Sequence, residues 1–175
     1  MNPDNFFMVF IVTCAVGSII QFEDFGSYNY IIDAVKETHK VPGVSPEYQY
    51  HITNVYFGDL EDKEFIRVVK MLSDIKSQFH PFNVSINGIS YFEAGEDGYP
   101  IILKVNSPEV HLIRNKILYC LDLLNIKYDT KYPTYQPHIT LSYNDSPFSK
   151  GIKGFNLPIN SISFQHKDLH FNMKF

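Results

Sequence analysis

An α/β (α+β) architecture of two similar halves sharing one domain follows from three features of this 175-residue chain. Strand-like and helix-like segments alternate in an order that repeats along the sequence. The same triplet, His-Ile-Thr, falls in a strand of each half. A hydrophobic content of 45% over this length suits one core and leaves no room for two ordinary domains, so residues 1–175 read as a single domain.

Residues 6–20 are almost continuously apolar, but a membrane helix needs about 20 such residues and a signal peptide places basic residues ahead of them, where this chain has Asp4. The β-branched and aromatic types there (Phe7, Val9, Phe10, Ile11, Val12) favour a buried strand, broken at Gly17. Ser27 can cap a short helix carrying Ile31, Ile32 and Val35. The Pro- and Gly-containing stretch 41–46 is a loop, and 48–57 is a strand stopped at Gly58. Asp59 can cap the next helix, in which Phe65, Val68, Leu72 and Ile75 share a face and which Pro81 closes.

The second half repeats the plan. Residues 82–92 are strand-like with Gly88 as a bulge, and turn residues 95–98 join them to a strand at 101–105, giving a hairpin. Ser107 as cap and Pro108 at the first helical position open a helix with Val110, Ile113, Ile117 and Leu121, ending near Asn125. Pro137 leads into a strand at 138–143, and 157–175 alternates as one or two closing strands. This order implies two α/β halves over a shared mixed or antiparallel sheet.

Charge narrows the function classes. With 19 acidic against 15 basic residues the formal charge is −4, and no run of Lys or Arg could track a long phosphate backbone. Duplex DNA is therefore excluded as a partner, and no segment reads as a membrane span. Cys14 and Cys120 each lie in an apolar stretch and read as buried, reduced thiols of an intracellular, cytoplasmic protein.

The chemistry is concentrated in the repeated triplet: His51-Ile52-Thr53 and His138-Ile139-Thr140. Side chains alternate with period two in a strand, so His51 with Thr53, and His138 with Thr140, share one face while each Ile takes the other. Helices can cover the Ile faces, leaving both His and Thr pairs to a cleft. Both triplets follow a loop, and each has a Tyr five positions beyond its His, Tyr56 and Tyr143. Displacement at a phosphodiester needs one group to take a proton and another to give one, and two imidazoles titrating near neutrality can divide these roles. Each Thr hydroxyl can donate to a non-bridging phosphate oxygen, where charge grows in the transition state. Catalytic zinc would want three ligands, and no carboxylate or Cys stands beside either triplet, so no metal or other cofactor is expected. The plain alternative, a hydrogen-bonded interior His, fits a single triplet better than a matched pair.

On these two His-x-Thr motifs, and on the order of elements around them from Phe6 to about Phe164, the chain resembles the 2H phosphoesterase superfamily, which includes 2′-5′ RNA ligase-like proteins and cyclic phosphodiesterases. The resemblance implies a bilobal fold with pseudo-twofold symmetry, antiparallel or mixed sheets lining a central cleft, helices outside and a metal-independent site. It implies His51 and His138 as catalytic residues and Thr53 and Thr140 as phosphate-binding residues. Family members act on 2′,3′-cyclic phosphates, 2′-5′ linkages and, in some viral and phage branches, on signalling oligonucleotides of host defence. The implied partner is a small nucleotide or short oligonucleotide, and a viral member would work in the host cytoplasm. Two departures stand out: Asn54 follows the first Thr where the family has a hydrophobic residue, and the segment after the second motif matches no member closely.

Lys104, interrupting Ile101-Ile102-Leu103-Lys104-Val105, stands either on the cleft face against phosphate or on the surface. Tyr56 and Tyr143 can stack on bases or belong to the core. His166 and His170 sit in strand-like surroundings without a third ligand and read as surface or interface histidines. A non-catalytic nucleotide-sequestering module of the same fold is the competing function.

Overall fold

The computed structural model describes residues 17–23, 25 and 28–175. The described chain runs β1 (Ser18–Phe22), α1 (Asn29–Thr38), β2 (Ile52–Gly58), α2 (Asp62–Lys76), β3 (Phe82–Tyr91), β4 (Tyr99–Asn106), α3 (Pro108–Leu123), β5 (His138–Asn144), β6 (Phe155–Ile159), β7 (Ser161–His166) and β8 (Leu169–Lys174). Two four-stranded sheets result, ordered β2-β1-β7-β8 and β5-β4-β3-β6, with every pairing antiparallel. The sheets are separate rather than shared because the closing segment makes three strands, one more than its alternation suggested. Of these, β6 completes the second sheet on β3, and β7 and β8 complete the first on β1.

Each half contains the same unit, a strand, a helix and a returning antiparallel neighbour: β1-α1-β2 and β4-α3-β5. Ile32 of α1, Leu72 of α2 and Ile113 of α3 are fully buried, as are Ile20, Phe22, Ile101, Leu103 and Phe164 on the strands they cover. Phe65 of α2 stacks on Phe164 and tilts against Phe171, which fixes that helix on β7 and β8.

Local signals account for most boundaries. Ser107 accepts from the Val110 amide and Pro108 opens α3, as the sequence implies. The hairpin of β3 and β4 forms, and its bulge falls at Asn87 and Gly88, between the pairs Ile86 with Val105 and Ile89 with Leu103. The start of α2 differs: Glu61, not Asp59, is the cap, because Glu61 and Glu64 reciprocate in a capping box that satisfies two free amides at once. The strand expected from 48 begins only at Ile52, since 48–51 are held by side-chain contacts instead of a ladder. The Ser27 cap, Cys14 and the strand expected ahead of Gly17 lie outside the described residues; β1 begins at Ser18, after Gly17, where the sequence predicts a break. Cys120 is half-buried at the edge of the core, more open than expected.

Candidate active site

β2 and β5 are the outer strands of their sheets and approach each other, so the two triplets meet from opposite halves. His138 opens β5, and His51 immediately precedes β2. Ile52 and Ile139 are fully buried, which by alternation turns His and Thr to the other face of each strand.

Both imidazoles are held the same way. His51 Nδ1 lies 3.0 Å from the Gln49 carbonyl and His138 Nδ1 lies 2.7 Å from that of Gln136. A carbonyl only accepts, so each Nδ1 carries a hydrogen, and each Nε2 is the atom left to exchange a proton. The repeat is thus five residues long, Gln-x-His-Ile-Thr, and comparing two residues upstream of the triplets would have found Gln49 and Gln136. An aromatic ring braces each His: Tyr48 at 5.1 Å from His51, and Phe92 edge-on at 4.7 Å from His138.

Burial holds the pKa of both rings below the ordinary 6.5. For His51 the Gln49 carbonyl and the charge of Glu23 oppose this shift. For His138 the Gln136 carbonyl opposes it, while the charge of His51 reinforces it. Each ring's protonation therefore bears on the other.

A matched irregularity sets the two tyrosines. In β2 the partners of Ile20 and Gln21 are Val55 and Thr53, so Asn54 is an extra residue; in β5 those of Ile101 and Ile102 are Ser142 and Thr140, so Leu141 is extra. Both bulges come three residues after the His. Strict alternation would send a residue five beyond His to the far face, but one extra residue restores it. Tyr56, opposite Ile19, and Tyr143, opposite Pro100, consequently rejoin the face of Thr53 and Thr140. Their surroundings differ. The Tyr143 hydroxyl bonds that of Tyr48 at 2.7 Å, beside His51, whereas Tyr56 packs below Gly17 and stays partly exposed.

The Asn54 bulge is closed from the opposite half. Arg114 of α3 donates to the Asn54 carbonyl at 2.9 Å and lies over the Tyr135 ring, and the Tyr135 hydroxyl donates to the Thr53 carbonyl at 2.8 Å. The Asn54 amide is buried with neither atom hydrogen-bonded among the described residues. Asn54→Leu, which restores an apolar residue there, should raise stability by about 1–3 kcal/mol, the usual penalty for an unpaired buried polar group. Urea unfolding checks this; a lower midpoint would mean that the amide has a partner. The loop before β2 is in turn fixed to β5. Val44 and Tyr143 exchange two backbone bonds of 2.8 and 2.9 Å, and Gly43, at φ +96°, lets the chain pass where a Cβ would lie 2.2 Å from the Tyr143 carbonyl.

The residues across from the two histidines have opposite charge. Lys104 pairs with His138 in the β4-β5 ladder, which puts its exposed side chain on the cleft face. Glu23 follows directly on the pair Phe22 with Ile52, beside His51. Glu23 is nearly buried, which by itself would raise its pKa, but an ion pair with His170 and bonds from Ser163 and Gln21 bring it below the ordinary value. His170 is therefore an interior residue and not a surface one. His166 corrects the same expectation: it is buried, bonded to Ser18 at 2.6 Å, paired with Asp62 at 3.3 Å and stacked on Phe65. The two lie on opposite faces of the sheet: His166, stacked on Phe65, is on the face that α2 covers, and His170, opposite Gln165 in the ladder between β7 and β8, is on the face of Glu23.

Among the described residues, no three or more His, Cys, Asp or Glu side chains gather where they could hold a metal ion, and no helix is long and apolar enough to cross a membrane. Fold and motifs together define a two-lobed α+β protein with a His-x-Thr strand on each inner edge. The model of the 2′-5′ RNA ligase superfamily matches residues 28–170, and the chain belongs to this superfamily, the 2H phosphoesterases. Among solved structures it is similar to TT0787 of Thermus thermophilus, at 16% identity and a TM-score of 0.67 over 90% of this chain and 97% of that one. It is also similar to E. coli LigT complexed with NADP+ (12%, 0.59, 91% and 94%) and to the MHV ns2 PDE domain (11%, 0.58, 83% and 99%). No curated protein sequence matches it. Membership supports a phosphodiesterase-type activity.

Proposed function

We propose that this chain is a metal-independent phosphodiesterase acting on a small ribonucleotide, a 2′-5′-linked oligonucleotide, a 2′,3′-cyclic phosphate or a cyclic oligonucleotide, with His51 and His138 as its proton-transfer pair. The observation that carries the reading is the twofold anchoring of Nδ1 on a carbonyl, which leaves Nε2 of each ring as its proton-exchanging atom, with the rings near enough for the charge of His51 to bear on His138. One His takes the proton of the attacking water or ribose hydroxyl as the new P–O bond forms. The other gives a proton to the departing ribose oxygen as the old bond breaks. Thr53 and Thr140 donate to the non-bridging oxygens, Lys104 balances their charge, and Tyr56 and Tyr143 flank the bases. Nucleotide ligands in structures of a relative, E. coli LigT with 3′-AMP and with ATP, support a substrate of this size.

The surroundings divide the roles. Glu23 beside His51 favours its protonated form, while His138 faces Lys104 and feels the charge of His51. His51 is thus the acid and His138 the base. Because burial lowers both pKa values, kcat/KM should peak on the acidic side of 6.5 and fall as pH rises through the lowered pKa of the acid, before neutrality is reached. A pH–rate profile from 5 to 9 tests this, and a plateau extending to pH 9 would remove the imidazolium from the mechanism.

The direct test is a panel of 2′,3′-cyclic nucleotides, 2′-5′ oligoadenylates and cyclic oligonucleotides incubated with EDTA, with products identified by mass spectrometry. Turnover that persists in EDTA supports the reading; a tightly bound ligand recovered intact would establish the sequestering module instead.

A further inference from the structure

A groove of about 790 Å³ opens beside the His138 half of the cleft, over β3 and the chain that follows β5. Lys104 forms its inner wall, one strand spacing, about 5 Å, from His138. The β3 bulge lies next to it, and Gly88 keeps the floor low: a Cβ there would sit 3.9 Å from Lys104 Cδ. The outer wall is Ser149, Lys150 and Gly151, held to β3 by two backbone bonds between Lys150 and Ile89 of 2.9 and 3.0 Å. Two lysines and no carboxylate line the groove, in a chain whose formal charge is −4. This is a local reversal of sign, and Lys104, opposite His138 in the ladder, joins it to the proposed scissile site.

We propose that this groove is a second phosphate subsite. It holds the phosphate adjacent to the scissile one, so the preferred substrate is a short oligoribonucleotide and not a mononucleotide. Lys150 supplies the outer charge, Lys104 stands between the two phosphates, and Ser149 and Asn87 offer hydrogen bonds at the walls. This deepens the phosphodiesterase reading and rests on the cleft being the phosphodiester site.

The test compares adenosine 2′,3′-cyclic phosphate with a 5′-phosphorylated 2′-5′ triadenylate in the parent protein and in Lys150→Gln. Lys150 is exposed and anchors its loop through backbone atoms, so the substitution leaves the wall in place. KM for the triadenylate should rise about tenfold, the loss of one charged hydrogen bond, with turnover of the cyclic mononucleotide within about twofold of the parent. A change equal for both substrates, or absent for both, overturns the subsite. Should the parent turn over neither, the phosphodiesterase reading fails, and the subsite is tested separately by fluorescence anisotropy with a labelled pentaadenylate. About tenfold weaker binding by Lys150→Gln supports it, and equal binding overturns it.

Discussion

His138→Asn lowers turnover of the best panel substrate at least about a hundredfold, and His51→Asn does the same, because general acid–base groups typically contribute about 10²–10⁴. Asn is the informative replacement. Its side-chain amide can still donate to the carbonyl that Nδ1 uses, Gln136 in one half and Gln49 in the other, so the local backbone is kept while the proton-exchanging atom is lost. Binding of product nucleotide should stay within a few fold. If the two rings work as one unit, the double variant is scarcely slower than either single one, since the partner without its mate has no proton to pass on. Loss in one variant only would leave a single catalytic His and refute the division of roles; tenth-level activity in both would leave none.

Alternation made the facing of the candidate site's residues legible, and the backbone irregularities hid the rest. Ile between His and Thr, buried in both halves, is what period two demands of a strand covered on one side. Gly88 announced its bulge because a glycine inside a strand pattern is a local signal. Asn54 and Leu141 announced nothing: neither is Gly or Pro, and a bulge there is set by how the partner strand closes, which no local residue encodes. For that reason the faces of Tyr56 and Tyr143 could be read only from the pairing. The same limit applies to β6, β7 and β8, whose division between two sheets depends on contacts with β3 and β1, far away in sequence. Lys104 had two open readings until its register opposite His138 chose the cleft.

Thr53→Val and Thr140→Val should each lower kcat by about 10²–10³ with little change in KM, the effect of removing one donor from a developing oxyanion. Val keeps the branched shape and the strand preference of Thr, so loss of structure does not enter. The two positions are equivalent by pairing, Thr53 with Gln21 and Thr140 with Ile102, each one residue beyond a buried Ile. Their main chains differ in support: the Thr53 carbonyl is tied to Tyr135, whereas Thr140 lies within a ladder to β4. If phosphate sits astride the pseudo-twofold axis, the two losses agree within a few fold, and Thr→Ser restores most of the rate in either half because a hydroxyl is again present. A loss confined to kcat shows that the hydroxyls act on charge that grows during the reaction, which separates them from groups that only hold the ligand. Valine variants within threefold of the parent, with the Asn variants inactive, would show that the phosphate oxygens lie elsewhere, and would return Lys104 to the role of principal charge partner.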